Sequence, residues 1–125
     1  MKVAATDSAV NISPVPDTWQ RRHLLGLEEL SRDDILTLLE TAVELKTATG
    51  GCKEKLSILK GKTVANMFFE NSTRTRNSFS LAARRLGADT VEFSASSSSL
   101  SKGETLIDTA KTIEAMNVDA MVVRH

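Results

Sequence analysis

The sequence lacks the features that would direct it to nucleic acid, to a membrane or to an oxidising compartment. Its 16 basic residues balance 16 acidic ones, it has no tyrosine, and aromatic residues make up only 4% of it. Such a chain offers neither a broad basic face nor stacking platforms for nucleic acid. No apolar run approaches the length that crosses a bilayer. Cys52 is the single cysteine, which excludes an intrachain disulfide and favours a reducing cytosol.

The bulk composition is that of one ordinary globular domain. The chain has 125 residues, of which 41% are hydrophobic and 26% charged, enough to build a sizeable core. Residues 1–17 are rich in small polar residues and proline and are predicted to form a flexible N-terminal tail. The predicted domain therefore covers residues 18–125.

Apolar periodicity predicts an α/β fold. Ser31 and Asp34 occupy the positions of a capping box before a helix whose apolar stripe is expected to pack, and Gly50 follows that helix. The segments that come next alternate between strand and helix patterns: strand 63–69, helix 73–86, strand 90–93, helix 104–116 and strand 120–123. This order predicts a parallel sheet with helices on both faces. The first and last strands are apolar enough to be buried.

The turn between the first strand and the following helix carries the strongest functional signal. It reads Ser72-Thr73-Arg74-Thr75-Arg76. At the start of a helix the first N–H groups lack backbone partners, and the peptide dipoles leave partial positive charge. Hydroxyl and guanidinium groups at such a point form a receptor for a small phosphate dianion.

These side chains also have a purely structural interpretation. A serine or threonine before a helix is most often an N-cap, and Arg74 or Arg76 alone would most often be solvated. A cap needs only one such group, however, and this turn concentrates several directly after a buried strand. The concentration favours an anion site over a cap.

Two further segments are expected at the same edge of the sheet. Ligands of parallel α/β sheets bind outside the carboxyl ends of the strands, so we expect Arg124, which follows the apolar run 120–123, beside the turn 72–76. The serine-rich segment 94–103 carries the cation Lys102 and has the composition of a linker. Its place between a strand and a helix favours a loop that closes over a ligand.

The motifs resemble those of the transcarbamylases. The run 69–79, with Ser72-Thr73-Arg74-Thr75-Arg76 inside it, is similar to the carbamoyl-phosphate signature of that family. Segments 24–31, 99–109 and 119–125 resemble its aspartate carbamoyltransferase branch. The ornithine carbamoyltransferases share the first motif but lack a lysine at the position of Lys102. The resemblance implies the family's carbamoyl-phosphate-binding domain, an α/β domain with helices flanking a parallel sheet.

The resemblance also implies roles for individual residues. Carbamoyl phosphate would be bound by Ser72, Thr73, Arg74, Thr75 and Arg124. Catalytic roles would fall to three of these, Arg74, Thr75 and Arg124. The implied reaction transfers the carbamoyl group to L-aspartate, as in pyrimidine biosynthesis, with no metal and no cofactor.

Other residues would act between subunits or domains. Lys102 would bind L-aspartate, and Ser99 and Lys102 would reach the active site of a neighbouring subunit in a homotrimer. Glu70 resembles a residue that makes an interdomain contact. Regulatory chains or another enzyme of the pathway remain open as partners.

Three interpretations therefore stand side by side. Family chains carry a second, aspartate-binding domain, so we expect these 125 residues to be an incomplete N-terminal portion that is inactive alone. An ornithine carbamoyltransferase-like activity is one alternative. A non-catalytic domain that binds a phosphometabolite is the other.

Overall fold

The computed structural model describes residues 12–13, 16–50, 55–94, 103 and 105–125. The chain divides into two units, Met1–Lys53 and Glu54–His125. Most of the predicted tail lies outside the described residues, and the bounds of the predicted domain stay a prediction. Among the described helices none is long and apolar enough to cross a membrane. The elements are α1 (Arg32–Thr49), β1 (Thr63–Phe68), α2 (Thr73–Arg85), β2 (Asp89–Ser94), α3 (Leu106–Ala115) and β3 (Ala120–Arg124).

Helix α1 of the first unit begins at the predicted capping box. Ser31 Oγ accepts from the Asp34 N–H at 3.1 Å, and the Asp34 carboxylate accepts from the Ser31 N–H at 3.0 Å. The bond from the Ser31 backbone, with further help from Arg21, holds the pKa of Asp34 below its ordinary value. No residue of α1 is buried, and Leu39 in the predicted stripe is 58% exposed. The expectation that this stripe packs is therefore not met within the unit.

The second unit contains a parallel sheet in the order β2-β1-β3, which confirms the predicted α/β class. The chain leaves β1 on one side to form β2 and then returns past β1 to form β3. Crossovers of this kind are almost always right-handed, and two that run in opposite directions place α2 and α3 on opposite faces.

Side-chain contacts agree with this two-faced arrangement. Ile113 of α3 packs with Ala65 and Met67 of β1, and Val91 lies against the same cluster. On β2, neighbouring residues point to opposite faces, so Thr90 lies on the other side of the sheet. There its Oγ1 accepts from Arg84 Nε of α2 at 3.1 Å. Both faces of the central strand are thus covered.

Strand β3 is more exposed than its sequence indicates. Ala120, Val123 and Arg124 are exposed, Val123 at 54%, so the prediction that this apolar run is a buried strand is wrong for this structure. Within the described sheet β3 pairs on one side only, with β1. The apolar pattern is shared by central and edge strands and does not distinguish them.

Helix α3 begins slightly later than the predicted residue 104. Thr105 is its N-cap, because Thr105 Oγ1 accepts from the Asp108 N–H at 3.1 Å and the Asp108 carboxylate accepts from the Thr105 N–H at 3.3 Å. This second capping box fixes the first helical residue as Leu106.

Residues at the amino-terminal ends of β1 and β3 tie these two strands together. Asp119 accepts from the Thr63 N–H at 2.9 Å and from Lys62 Nζ at 3.0 Å, while the Asp119 N–H donates to Thr63 O at 2.9 Å. The bond from Thr63 and then the Lys62 ammonium hold the pKa of Asp119 below its ordinary value. The register of β1 against β3 is therefore fixed from its first pair.

Helix α2 ends in a glycine whose conformation and surroundings both exclude a side chain. The N–H groups of Gly87 and Ala88 donate to Arg84 O and Ala83 O, which is the Schellman pattern. Gly87 has φ +90°. A Cβ there would clash with the carbonyl oxygen of Leu56, whose own N–H donates to Arg85 O at 2.8 Å.

We expect Gly87→Ala to destabilise the second unit more than Gly61→Ala does. Gly61 also has positive φ, +77°, but a methyl group added there would meet no atom within 4 Å, so its substitution carries only the backbone strain of about 1–2 kcal/mol. The clash at Gly87 should add about 1–3 kcal/mol. Urea unfolding followed by circular dichroism measures the free energy of unfolding of both variants. Equal losses of unfolding free energy in Gly87→Ala and Gly61→Ala would show that Leu56 does not hold the chain against α2.

Candidate functional site

The pairing of β1 with β3 sets the position of Arg124. Phe68 and Arg124 are register partners, and the Phe69 N–H donates to Arg124 O at 2.9 Å. Because parallel strands end at the same edge of a sheet, the last residue of β3 lies beside the turn that follows β1. This is the edge at which Arg124 is expected from the sequence.

The Arg124 guanidinium contacts three side chains from that turn. Its Nη1 donates to Ser72 Oγ at 2.8 Å and to Thr75 Oγ1 at 3.2 Å. Its Nε lies 3.3 Å from Glu70 Oε2, in an ion pair whose side chains are 46% and 55% exposed. The structure thus brings Arg124, Ser72, Thr75 and Glu70 together.

The amino terminus of α2 is not capped by its own side chain. Ser72 stands at the N-cap position but its hydroxyl makes no cap hydrogen bond, whereas Ser31 and Thr105 cap α1 and α3. The structural interpretation, in which the Ser72 side chain caps the helix, is therefore wrong for this structure. The Ser72 hydroxyl turns to Arg124 instead, and the first N–H groups of α2, which Ser72 leaves uncapped, keep their partial positive charge.

A cleft of about 260 Å³ opens at this helix terminus. The buried Phe68 at the end of β1 and Ser94 at the end of β2 both line it. Polar groups dominate the lining, which consists of Phe68, Phe69, Glu70, Asn71, Ser72, Thr73, Arg76 and Ser94. In the described ranges of the chain no group of three or more metal-ligating side chains comes together.

The two arginines of the turn have different positions. Arg76 lines the cleft and is half-buried, whereas Arg74 is exposed and is not part of the lining. Residues two apart on a helix do not face the same way, while residues four apart do. Ser72 and Arg76 are four apart and both line the cleft, and Arg76 belongs to the turn whose guanidinium groups are predicted to bind a phosphate dianion.

The remaining predicted residues are placed as follows. Thr73 is exposed and lines the cleft. Ser99 and Lys102 lie outside the described residues. Glu70 pairs with Arg124 within the unit, and its predicted interdomain contact stays a prediction.

Comparison with known proteins identifies the family. The family described as aspartate/ornithine carbamoyltransferase, carbamoyl-P binding domain, matches residues 22–125. This chain belongs to that family. The aspartate carbamoyltransferase catalytic subunit of Rhodopirellula baltica is 66% identical over 110 residues, which are 88% of this chain and 32% of that protein. The catalytic subunit of Frankia casuarinae is 54% identical over 113 residues, which are 90% of this chain and 36% of that protein.

Solved structures of this carbamoyltransferase family share the fold. Aspartate transcarbamoylase from Trypanosoma cruzi in complex with carbamoyl phosphate superposes with a TM-score of 0.79 at 36% identity, covering 94% of this chain and 38% of that one. The catalytic subunit of the M. jannaschii enzyme gives a TM-score of 0.74 at 37% identity, covering 84% and 34%. The chain spans about a third of the length of the relatives it matches.

We expect Glu70→Gln to strengthen the binding of inorganic phosphate to the intact protein. An anion at Arg124 would have to displace Glu70, but an ion pair this exposed is weak, so the dissociation constant should fall by no more than about fivefold. Isothermal titration calorimetry at low salt measures it. Glu114→Gln, an exposed site on α3, makes the same charge change as a control. Weaker binding in Glu70→Gln would mean that Glu70 holds Arg124 in place for the anion.

Proposed function

We propose that this chain supplies the carbamoyl-phosphate site of an aspartate carbamoyltransferase, with residues 18–125 forming its N-terminal carbamoyl-phosphate-binding domain. One observation carries the proposal: Arg124 meets Ser72 and Thr75 at the uncapped amino terminus of α2. Backbone N–H groups, hydroxyls and a guanidinium meet there beside a cleft that Ser72 and Thr73 line, and such donors suit a small phosphorylated ligand. The names of the similar proteins support the same assignment.

In this proposal the turn after β1 holds the phosphate group. Ser72, Thr73, Arg74 and Thr75 bind its oxygens, and Arg74, exposed in the same turn, folds over it and stabilises charge on the departing phosphate. Thr75 and Arg124 contact the carbonyl oxygen. Their mutual hydrogen bond at 3.2 Å and the bond from Arg124 to Ser72 hold both groups next to a residue that lines the cleft.

The reaction is a direct carbamoyl transfer. The neutral α-amino nitrogen of L-aspartate attacks the carbamoyl carbon and forms a tetrahedral oxyanion. The carbon–oxygen bond to phosphate then breaks and its electron pair leaves with the phosphate, which takes up the proton lost by the nitrogen, so that N-carbamoyl-L-aspartate and hydrogen phosphate are formed. The enzyme's contribution is to hold the two substrates in contact and to fix donors where negative charge develops.

The choice of the second substrate is assigned to Lys102. An acceptor with two carboxylates requires more cationic partners than ornithine does. We propose that Lys102 binds L-aspartate and that Ser99 and Lys102 enter the active site of a neighbouring subunit in a homotrimer. The proposed setting is cytoplasmic pyrimidine biosynthesis, and Glu70 is assigned a contact with the aspartate-binding domain.

The test is the turnover of Arg124→Gln in the intact protein. Removing one donor that faces a developing oxyanion lowers kcat by roughly 10²- to 10³-fold, so a colorimetric assay for carbamoyl aspartate should show that loss while the thermal melt stays unchanged. Arg85→Gln, an exposed arginine at the far end of α2, is the matched control.

Parallel assays separate the proposal from its alternatives. Product formed from ornithine and not from aspartate would favour the ornithine branch. Calorimetric binding of carbamoyl phosphate without any transfer would favour a non-catalytic binding domain. Turnover of Arg124→Gln within a few-fold of wild type would refute the catalytic role of Arg124.

A further inference from the structure

We infer that Asn71 is a site of spontaneous deamidation, and that the carboxylate formed there closes the cleft to anions. The reaction at Asn71 needs no ligand, whereas its consequence for phosphate binding rests on the proposed function. Asn71 lies between β1 and α2, immediately before Ser72, and it lines the cleft. The modification therefore acts on the site itself.

Deamidation of an asparagine uses the backbone nitrogen of the following residue. The Ser72 nitrogen gives its proton to water or hydroxide and attacks the carbonyl carbon of the Asn71 side chain. The side-chain amide nitrogen takes up a proton and leaves as ammonia, and a succinimide ring remains. Water then adds to either ring carbonyl carbon, the bond from that carbon to the ring nitrogen breaks, and the nitrogen takes back a proton. The products are aspartate and isoaspartate.

The backbone around Asn71 leaves this route open. Residues 69–72 belong to no helix or strand, and Asn71 is exposed. Among the described residues, the Ser72 N–H donates no hydrogen bond, and the Asn71 side-chain amide has no hydrogen-bond partner. The nitrogen can therefore approach the side-chain carbonyl carbon without breaking a hydrogen bond of the fold.

A second Asn-Ser pair in the chain supplies an internal comparison. Asn77 is followed by Ser78 and is also exposed, but both residues lie within α2. In an α-helix the Ser78 N–H donates to Arg74 O, four residues earlier, and the same oxygen accepts from Ser78 Oγ at 2.9 Å. The Ser78 nitrogen can attack Asn77 only when this part of the helix opens. The same dipeptide is thus protected at one position and unprotected at the other.

The two other asparagines in the described part of the chain are poorer candidates. Asn66 is fully buried in β1, and its amide donates to Glu92 Oε1 at 2.9 Å. Asn117 is followed by Val118, whose branched side chain crowds the nitrogen that must attack. Asn71 is therefore the described asparagine at which sequence and backbone both permit the reaction.

The product places a negative charge where the proposed ligand carries its own. The amino terminus of α2 is uncapped, so a carboxylate at residue 71 is attracted to the partial positive charge there and repels an incoming phosphate. A full charge within several ångströms of a dianion corresponds to a roughly tenfold loss of affinity. Isoaspartate also inserts a methylene group into the backbone directly before Ser72, whose hydroxyl accepts from Arg124 at 2.8 Å.

Peptide mapping of the intact protein by mass spectrometry tests the modification site. The protein is incubated at mildly alkaline pH, which promotes loss of the proton from the attacking nitrogen. Aspartate and isoaspartate should accumulate at residue 71 roughly tenfold faster than at residue 77, because residue 77 reacts only after local opening. Isoaspartate identifies the ring route, since direct hydrolysis of the amide gives only aspartate. In urea, where both segments are unfolded, the two positions should react at similar rates.

Calorimetric titration with inorganic phosphate tests the consequence for the cleft. Asn71→Asp carries the charge of the product and should raise the dissociation constant roughly tenfold. Asn117→Asp adds the same charge before β3, at the opposite edge of the sheet, and should bind as wild type does. Incubated wild type should lose affinity in proportion to its modification. Asn71→Gln, whose longer side chain closes the ring slowly, should keep the affinity that it had before incubation.

The outcomes distinguish this inference from the proposed function. Equal or faster modification at Asn77 in the folded protein, or none at Asn71 by the time the urea-unfolded chain has reacted there, overturns the modification site. Wild-type affinity in Asn71→Asp overturns the effect on the cleft. If that variant does not melt like wild type, incubated wild type decides: unchanged affinity in the modified sample overturns the effect. If unmodified wild type does not bind phosphate, the proposed function fails, and the mass spectra still decide the modification site.

Discussion

The register between β1 and β3 is the constraint on which the site depends. Asp119 ties the starts of the two strands to each other, and the bond from the Phe69 N–H to Arg124 O ties their ends. A slip of one residue would turn every side chain of β3 to the opposite face of the sheet, and the Arg124 guanidinium would leave the turn that holds Ser72. A few backbone hydrogen bonds thus decide whether a cation reaches the terminus of α2.

Arg124 makes two kinds of contact in the site: hydrogen bonds to two hydroxyls that stay in place, and an ion pair that a ligand can replace. Ser72 and Thr75 are held by Arg124 at hydrogen-bond distance, so part of the donor set is in place before a ligand arrives, and less reorganisation is needed when charge develops. The carboxylate of Glu70 is different, because its ion pair with Arg124 is about half exposed and is weak for that reason. In the proposed mechanism the carbonyl oxygen of carbamoyl phosphate replaces this carboxylate beside Arg124, so the cation faces the negative charge that develops on that oxygen.

Some of this arrangement was predictable from the sequence. The spacing of the apolar residues and Gly87 predicted α2 closely, and the rule that parallel strands end at one edge predicted that Arg124 lies near Ser72. The Glu70–Arg124 pair was not predictable, because it depends on the rotamers of two long, exposed side chains. The exposure of β3 was missed because an apolar run does not show which strand ends a sheet. Arg76 belongs to the turn that the sequence predicts to bind a phosphate dianion, and its four-residue spacing from Ser72 agrees with its place in the lining of the cleft.

The most direct test of the central claim is a crystal structure of the intact protein with carbamoyl phosphate bound. The proposed mechanism predicts the phosphate group at the amino terminus of α2, within hydrogen-bond distance of Ser72 Oγ, with the Arg124 guanidinium turned from Glu70 to the carbonyl oxygen. Electron density for the ligand at another edge of the sheet, or bound at this terminus with the Glu70–Arg124 pair intact and Arg124 making no contact to it, would contradict the mechanism.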